Sequence, residues 1–578
     1  MGFGANPAVC RSASANGCGH PLRSFVLAGL LCFGSFESTR MGYVSVNAMH
    51  YDCRSRRLIP AATPKRRKRL VQTCAHSGMT KSERYLAHIA RRSFLSLWSH
   101  PNLFTDEGRH GADGDGKELC DLMVIFGPHI LLFSDKACGF PAHPDPDVSW
   151  ARWYKRAIAK SARQLLGAER WLRRYPSRVY LDKNCSTALT LPLPTNGDAV
   201  FHRIAVTRGS HTACETFYGG GSSGTPIIDT RIVGESHLEA PFRVGHVTSK
   251  NEFIHVFDEL TLNVVMLELD TIFDFVDYLQ KKEALLCRPG LEVIAMGEEE
   301  LVAVYLKNID KDRCHTFPSV PGDVGTLVIK EGYWARLVAD ARYLKKKEDD
   351  RISYLWDELI ETFAAFGKDD AGYSNALEFE PSLRQLASEN RLGRRYLAQT
   401  LYDAAHKDIP VGHRYLRITA GGKKEVAYVF LIVPQPEYLD FAEYQEARQA
   451  LLIASCKVAK LLAKNATKVI GIAMEPANSK NRSEDLVLLE TSEAFWGEKE
   501  EAEARQLQLD MKIFSPETSN IFATQVAPYY RHRKPPLMPL WMHGAPISSD
   551  ALAAFGGARK TRKRPATSRR SAAKNSTR

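Results

Sequence analysis

The sequence predicts an α/β protein (α+β over the whole chain), with a mixed-sheet body, a helical middle region and a small C-terminal α/β domain. Two observations carry this expectation. Short runs rich in Val, Ile and Phe, such as residues 122–126 and 130–133, alternate with long segments whose apolar residues recur at helical spacing. Turn signals separate paired short runs, Gly127-Pro128 in the first half and Gly421-Gly422 in the second, which reads as hairpins. No repeat of solenoid period occurs, which argues against a repeat architecture.

Composition narrows the class. A chain of 578 residues is long enough for two or three domains, and 44% hydrophobic with 25% charged residues is ordinary for a globular protein. No run of about 18 apolar residues exists, so no membrane-spanning helix is expected. The net charge of +12 is uneven. Residues 1–78 hold eleven Lys/Arg against Glu37 and Asp52, and the tail after Phe555 holds nine Lys/Arg and no acid. The ends therefore carry +18 of a total of +12, and the body between them is −6. Twelve cysteines form no Cys-x-x-Cys pair; five lie in residues 1–78 and seven are scattered singly. That spacing fits reduced thiols in the cytoplasm better than a disulfide framework or a zinc ribbon.

Taken in order, residues 1–78 lack sustained periodicity and read as a disordered or mis-assigned extension, with ordered sequence beginning at Met79. They include an apolar run at 25–33, weakly like a signal peptide, and the basic run 65–69. Residues 79–290 form the first folded domain. Thr80 or Ser82 caps a helix carrying Tyr85, Leu86, Ile89, Phe94, Leu95 and Trp98, which Pro101 stops. An Asp- and Gly-rich loop at 105–116 leads into the hairpin around Gly127-Pro128. Folding there brings Asp121 and Lys136 side by side, and such charges are costly to bury unless paired or metal-bound. A basic helix at 149–175 follows, then strands at 178–180, 199–207, 226–233 and 253–256. The apolar segment 261–279 is expected to pack on this body or bridge to the next. Residues 291–410 read as mainly helical. Residues 411–515 read as the α/β domain, with strands at 415–419, 426–433, 468–473 and 486–489 and helices at 441–464 and 498–512. Residues 516–578 form an irregular segment and a basic tail.

The succession of helix, acidic loop, strand with Asp121, turn, strand ending in x-x-Lys136 and second helix resembles the restriction-endonuclease-like core of the PD-(D/E)xK nucleases. The stretch Gly116-Lys117-Glu118-x-x-Asp121 is also similar to nuclease-related and Mrr-like variants with a Glu ahead of the Asp. The resemblance covers residues 80–235. It implies a metal-dependent endonuclease acting on DNA, with RNA as a further candidate partner, and Mg²⁺ or Mn²⁺ as cofactor. By the same carry-over Asp121 is the chief metal ligand, Glu118 and Glu83 are auxiliary ligands, Lys136 sits at the attacking water, and Gln164 faces the scissile phosphate. One departure stands out: Ser134 occupies the position two before the Lys, where the family has an acid. Three accounts are open. A bulge turns Asp135 inward, Glu118 or Glu83 supplies the missing oxygen, or the site is weak. The alternative function is a catalytically degenerate nuclease fold that binds nucleic acid or protein.

The stripe Arg152, Lys155, Arg156, Lys160, Arg163, Arg170, Arg173 and Arg174, with Trp153, Tyr154 and Trp171, offers phosphate neutralisation and base stacking, or else a solvated face over core aromatics. The glycine-rich run 219–224 lacks a following Gly-Lys-Ser/Thr and reads as a turn. His100, His110, His129 and His143 match no zinc spacing. Glu475, Glu484 and Asp485 in the C-terminal domain match no motif and read as a solvated loop edge.

Overall fold

The computed structural model describes residues 80–514 except 110–113, 195–196, 311–313, 367–375, 424 and 481, together with 41–47, 49–52, 57–60 and 540–542. The expectations for the apolar run 25–33, the basic run 65–69, a start at Met79 and the tail beyond 542 lie outside these residues. The chain divides into two compact units, Gly78–Lys346 with Pro528–Arg578, and Met1–Ser77 with Lys347–Ala527. The division thus falls inside the stretch 291–410. Within residues 1–78 three strands are described: β1 (Met41–Asn47), β2 (Met49–Asp52) and β3 (Arg57–Pro60), the last two paired antiparallel.

The unit beginning at Gly78 opens with helix α1 (Lys81–Phe94). A reciprocal cap starts it, with Glu83 N–H donating to Thr80 Oγ1 and Thr80 N–H donating to Glu83 Oε2 at 2.9 Å. It stops at Phe94 because Leu95 takes a left-handed φ of 66°, not at Pro101. Pro101 instead lies in strand β4 (Ser99–Thr105), which the sequence does not predict. A proline discourages a strand assignment, yet an edge strand tolerates it, and β4 is the edge. Strands β5 (Lys117–Phe126) and β6 (His129–Ala137) form the expected hairpin, Phe126 opposite His129, with Gly127 at φ 57° making the turn.

The basic segment is three pieces: α2 (Pro146–Tyr154), a π-helical turn at Lys155–Ala159, and α3 (Lys160–Arg174). Strand β7 (Val200–Arg208) then runs parallel to β6. A short helix α4 (His211–Phe217) is followed by β8 (Ile227–Val233), β9 (Arg243–His246) and β10 (Ile254–Phe257). The first sheet has the order β10-β7-β6-β5-β4, with β4, β5 and β6 antiparallel in succession and β7 and β10 parallel to β6. Helices cover both faces. Phe133 meets Phe94 of α1 at 6.2 Å between ring centroids, while its neighbour Ser134 bonds Ser161 and Gln164 of α3. Successive strand residues point to opposite faces, so α1 and α3 lie on opposite sides of the sheet.

The apolar segment 261–279 is two helices of this unit, α5 (Glu259–Glu268) and α6 (Ile272–Leu286), the latter started by Thr271 accepting from Asp274 N–H. Next come β11 (Glu292–Ala295), α7 (Glu298–Lys307), β12 (Thr326–Ile329), α8 (Tyr333–Val338) and α9 (Ala341–Asp349). Strands β11 and β12 lie in a stretch read as helical; four residues are too few to show a period. They build a second sheet, β17-β12-β11-β8-β9, where β17 is Leu540–Met542.

The other unit holds α10 (Tyr354–Phe366), α11 (Ala376–Ala387), α12 (Arg391–Ala405), β13 (Tyr415–Ala420), β14 (Val426–Ile432), α13 (Phe441–Leu462), β15 (Lys468–Met474), β16 (Ser483–Glu490) and α14 (Glu498–Met511). Its sheet is β1-β16-β15-β14-β13. Leu452 and Cys456 of α13 pack on Val429, Leu431 and Val487. Trp356 of α10 meets Tyr428 and Phe430 on the opposite face, at 5.7 and 6.4 Å. The solvated edge expected at Glu475, Glu484 and Asp485 is instead buried. Arg448, its side chain wholly buried, donates to Glu475 and Asp485 at 2.6 Å each and to Ser483 at 2.8 Å. An apolar helix-facing strand end accepts these acids only because one guanidinium answers both.

Candidate active site

Asp121 lies midway along β5, not at its start, and its side chain is buried. Its Oδ2 accepts the Asp135 backbone N–H at 2.8 Å and stands 3.4 Å from Lys136 Nζ. The hairpin therefore does bring Asp121 and Lys136 together, and Lys136 keeps 22% of its side chain exposed beside the buried carboxylate.

Glu118 reaches the same place through an irregularity. Strand residues three apart normally face opposite ways. Between β4 and β5 the register slips, Leu103 opposing Cys120 and Phe104 opposing Glu118, so Leu119 has no partner. The extra residue shifts the alternation by one and turns Glu118 to the Asp121 face, where its carboxylate bears on that of Asp121. Gly116 permits the close entry to this strand, since a Cβ there would lie 2.6 Å from Cys185 Sγ and 2.8 Å from the Thr105 carbonyl.

The bulge sits in β5, not β6. Strand β6 pairs with β7 without a slip from His129 to Ala137, so Asp135 is not turned inward. Its carboxylate is held by Arg208, with Nε and Nη2 each 3.0 Å from one oxygen. Arg208 in turn stands 5.9 Å from the Tyr85 ring centroid. Glu83 belongs to that side as well. Its carboxylate accepts at the α1 cap, and its charge bears on Asp135. Ser134 Oγ, fully buried, donates to Gln164 Oε1 at 3.0 Å and so ties Gln164 to the Asp121 face. Asp121, Glu118, Lys136 and Gln164 are thus gathered on one face, and Glu83 is not among them.

Electrostatics set this group apart from an ordinary ion pair. Burial pushes the Asp121 carboxyl up from 3.8 to about 7; Lys136 pulls it down, and Glu118 pushes it up by charge and hydrogen bond. Two carboxyl groups brought this close in a buried place disfavour a second negative charge, which adds to the effect of burial on Asp121. Hard oxygen donors of this kind suit Mg²⁺ or Mn²⁺, and a divalent cation can displace the Asp121 proton and offset the charge of both acids. The residues present fit the metal that the nuclease resemblance implies.

Arg152, Lys155, Arg156, Lys160, Arg163, Arg170, Arg173 and Arg174 are all exposed along α2 and α3. Arg173 is committed to Glu169 at 2.8 Å. Trp153 and Tyr154 are buried and unable to stack on bases, Trp153 Nε1 donating to the Cys138 carbonyl at 3.1 Å; Trp171 is only half-buried. No local signal marks the Asp135–Arg208 pair, because the partners are 73 residues apart. Among the described residues no disulfide is formed, and no helix is long and apolar enough to cross a membrane. No family model, curated protein or solved structure matches this chain.

Proposed function

We propose that the Gly78–Lys346 unit is a PD-(D/E)xK-type nuclease domain that cleaves phosphodiester bonds in DNA with Mg²⁺ or Mn²⁺. The observation that carries this reading is the convergence of Asp121, Glu118 and Lys136 at one end of a three-strand meander flanked by α1 and α3. In this reading Glu118 provides the carboxylate that Ser134 lacks. Asp121 and Glu118 hold the cation, which when bound polarises the phosphate and lowers the pKa of a water. Lys136 positions that water and stabilises developing charge. Gln164, its oxygen engaged by Ser134, turns its amide N–H₂ toward the phosphate. The exposed Lys160 and Arg163 flank Gln164 on α3 and would attract the backbone, so binding weakens as salt rises.

The experiment is cleavage of supercoiled plasmid by the full chain with Mg²⁺ or Mn²⁺, beside Asp121→Ala and Lys136→Ala. Loss of cleavage in both variants is expected. Cleavage unchanged in both sinks the assignment. A wild type that binds DNA but fails to cut it whichever metal is added selects the degenerate binding protein, with Ser134 as the lost acid.

A second reading concerns the other unit. A pocket of about 50 Å³, open to solvent, is lined by Trp356, Tyr402, His406, Met474, Glu475 and Glu484. Glu484 is buried there, its Oε2 has no hydrogen-bond partner, and burial raises its carboxyl to about 8. Such a protonated acid beside apolar walls suits a small apolar ligand with a hydrogen-bond acceptor. A screen of small acids and amides by thermal shift, repeated on Glu484→Gln, tests it; hits that survive unchanged in the variant refute it.

A further inference from the structure

The first sheet carries a second group of metal-ligating side chains at the end away from Lys136. His202 on β7 lies beside Leu131 of β6, whereas Lys136 lies beside Thr207. The two levels are thus separated by roughly 16 Å of strand. One donor atom from each of His202, His255 on β10 and Glu283 on α6 lies within 4.8 Å of the others, and His255 Nε2 stands 4.0 Å from Glu283 Oε2. Both rings are buried, His202 at 2% and His255 at 1% exposure. Yet neither nitrogen of His255 has a hydrogen-bond partner, nor has His202 Nδ1. Buried polar atoms left unpaired are uncommon and call for an explanation.

The surroundings favour a cation. Burial holds both imidazoles below their ordinary pKa, hence neutral, the form that ligates metals. The other nitrogen of His202, Nε2, meets His129 Nδ1 at 3.2 Å, the kind of outer contact that fixes a ligating ring. The nearby cations are already answered, Arg203 by Glu169 and Lys282 by Glu298 at 2.5 Å. Glu283, with 38% of its side chain exposed, leaves the group open to solvent on one side for entry and for a water.

We propose that His202, His255 and Glu283 bind Zn²⁺, tying β7 and the edge strand β10 to helix α6. Two imidazoles and one carboxylate are a borderline-soft donor set, unlike the all-oxygen pair at Asp121. Tetrahedral bonds of about 2.0–2.1 Å place donors roughly 3.4 Å apart, so a small side-chain rotation closes the site. Residues spaced this far apart in sequence leave no motif, which is why none was legible there.

The test is Co²⁺ titration of the chelator-stripped full chain, read by visible absorption, with Zn²⁺ as competitor and thermal unfolding in parallel. A single equivalent with the intense bands of tetrahedral Co²⁺ is expected, displaced by Zn²⁺, with a higher melting temperature. His255→Asn should abolish the bands, and Glu283→Gln should weaken binding at least tenfold. If His255→Asn fails to fold, the surface variant Glu283→Gln decides alone. Asp121→Asn should bind Co²⁺ like the wild type, which separates this site from the proposed nuclease centre. Absence of tetrahedral Co²⁺ in the wild type, or unchanged affinity in Glu283→Gln, overturns the proposal.

Discussion

Replacing Asp121 by Asn is expected to stabilise the metal-free protein at alkaline pH. The Asp121 carboxyl rises from 3.8 to about 7 on folding. A group raised in this way contributes its stability fully below pH 3.8, and loses it as pH climbs through 7. About three units at 1.36 kcal/mol each amount to roughly 4 kcal/mol by pH 8.5. Asn keeps the acceptor for the Asp135 N–H, and the attraction to Lys136 that it gives up is already contained in the net shift. The expected gain is thus roughly 4 kcal/mol, a rise of about 8–16 °C in melting temperature for a unit of this size. Thermal unfolding of both proteins in EDTA, at pH 8.5 and pH 4, measures it. The gain should fall below about 1 kcal/mol at pH 4, where the carboxyl is protonated in both states. A variant less stable than wild type at pH 8.5, or a gain indifferent to pH, would show an ordinary structural ion pair and refute the reasoning.

Other outcomes follow from the same geometry. Mg²⁺ affinity should climb about tenfold per pH unit below 7 and level off above it, with proton release seen by calorimetry in two buffers; a flat profile contradicts the raised Asp121 carboxyl. Glu118→Gln should weaken Mg²⁺ binding, whereas Glu83→Gln should cost only about 0.5–1 kcal/mol of helix capping and leave metal affinity alone. In the other unit, Arg448→Met should cost about 3–5 kcal/mol by chemical denaturation, since it strands Glu475 and Asp485 in the core; a loss under 1 kcal/mol would contradict the buried network.

The hairpin was legible because its two apolar runs and Gly127-Pro128 turn are local signals, and Asp121 and Lys136 followed from it. The helices and strands of the second unit from β13 to α14 were legible for the same reason, each long enough to show its period, whereas β1, which pairs with β16, lies in the stretch read as a disordered or mis-assigned extension. What escaped depended on pairing between distant segments. Strand β4 was hidden by Pro101, whose tolerance at a sheet edge is a tertiary fact. The bulge at Leu119 was hidden because register exists only once β4 is in place, and it alone decides that Glu118 joins Asp121. Glu83 looked like a ligand from its position at the start of α1, but the same position makes it a cap. The buried acids around Arg448 read as a loop edge because their partner lies on a different element.

Asp121 and Glu118 are the two acids at the centre of the proposed metal-dependent cut. Its most direct measurement is the rate of Mg²⁺- or Mn²⁺-dependent plasmid cleavage by the full chain and by Glu118→Gln, Asp121→Asn and Glu83→Gln. The first two should lose roughly 100-fold or more, about 3 kcal/mol of transition-state stabilisation, while still binding DNA, and Glu83→Gln should cut like the wild type. Equal rates in all four proteins, or no metal-dependent cleavage by any, would contradict it.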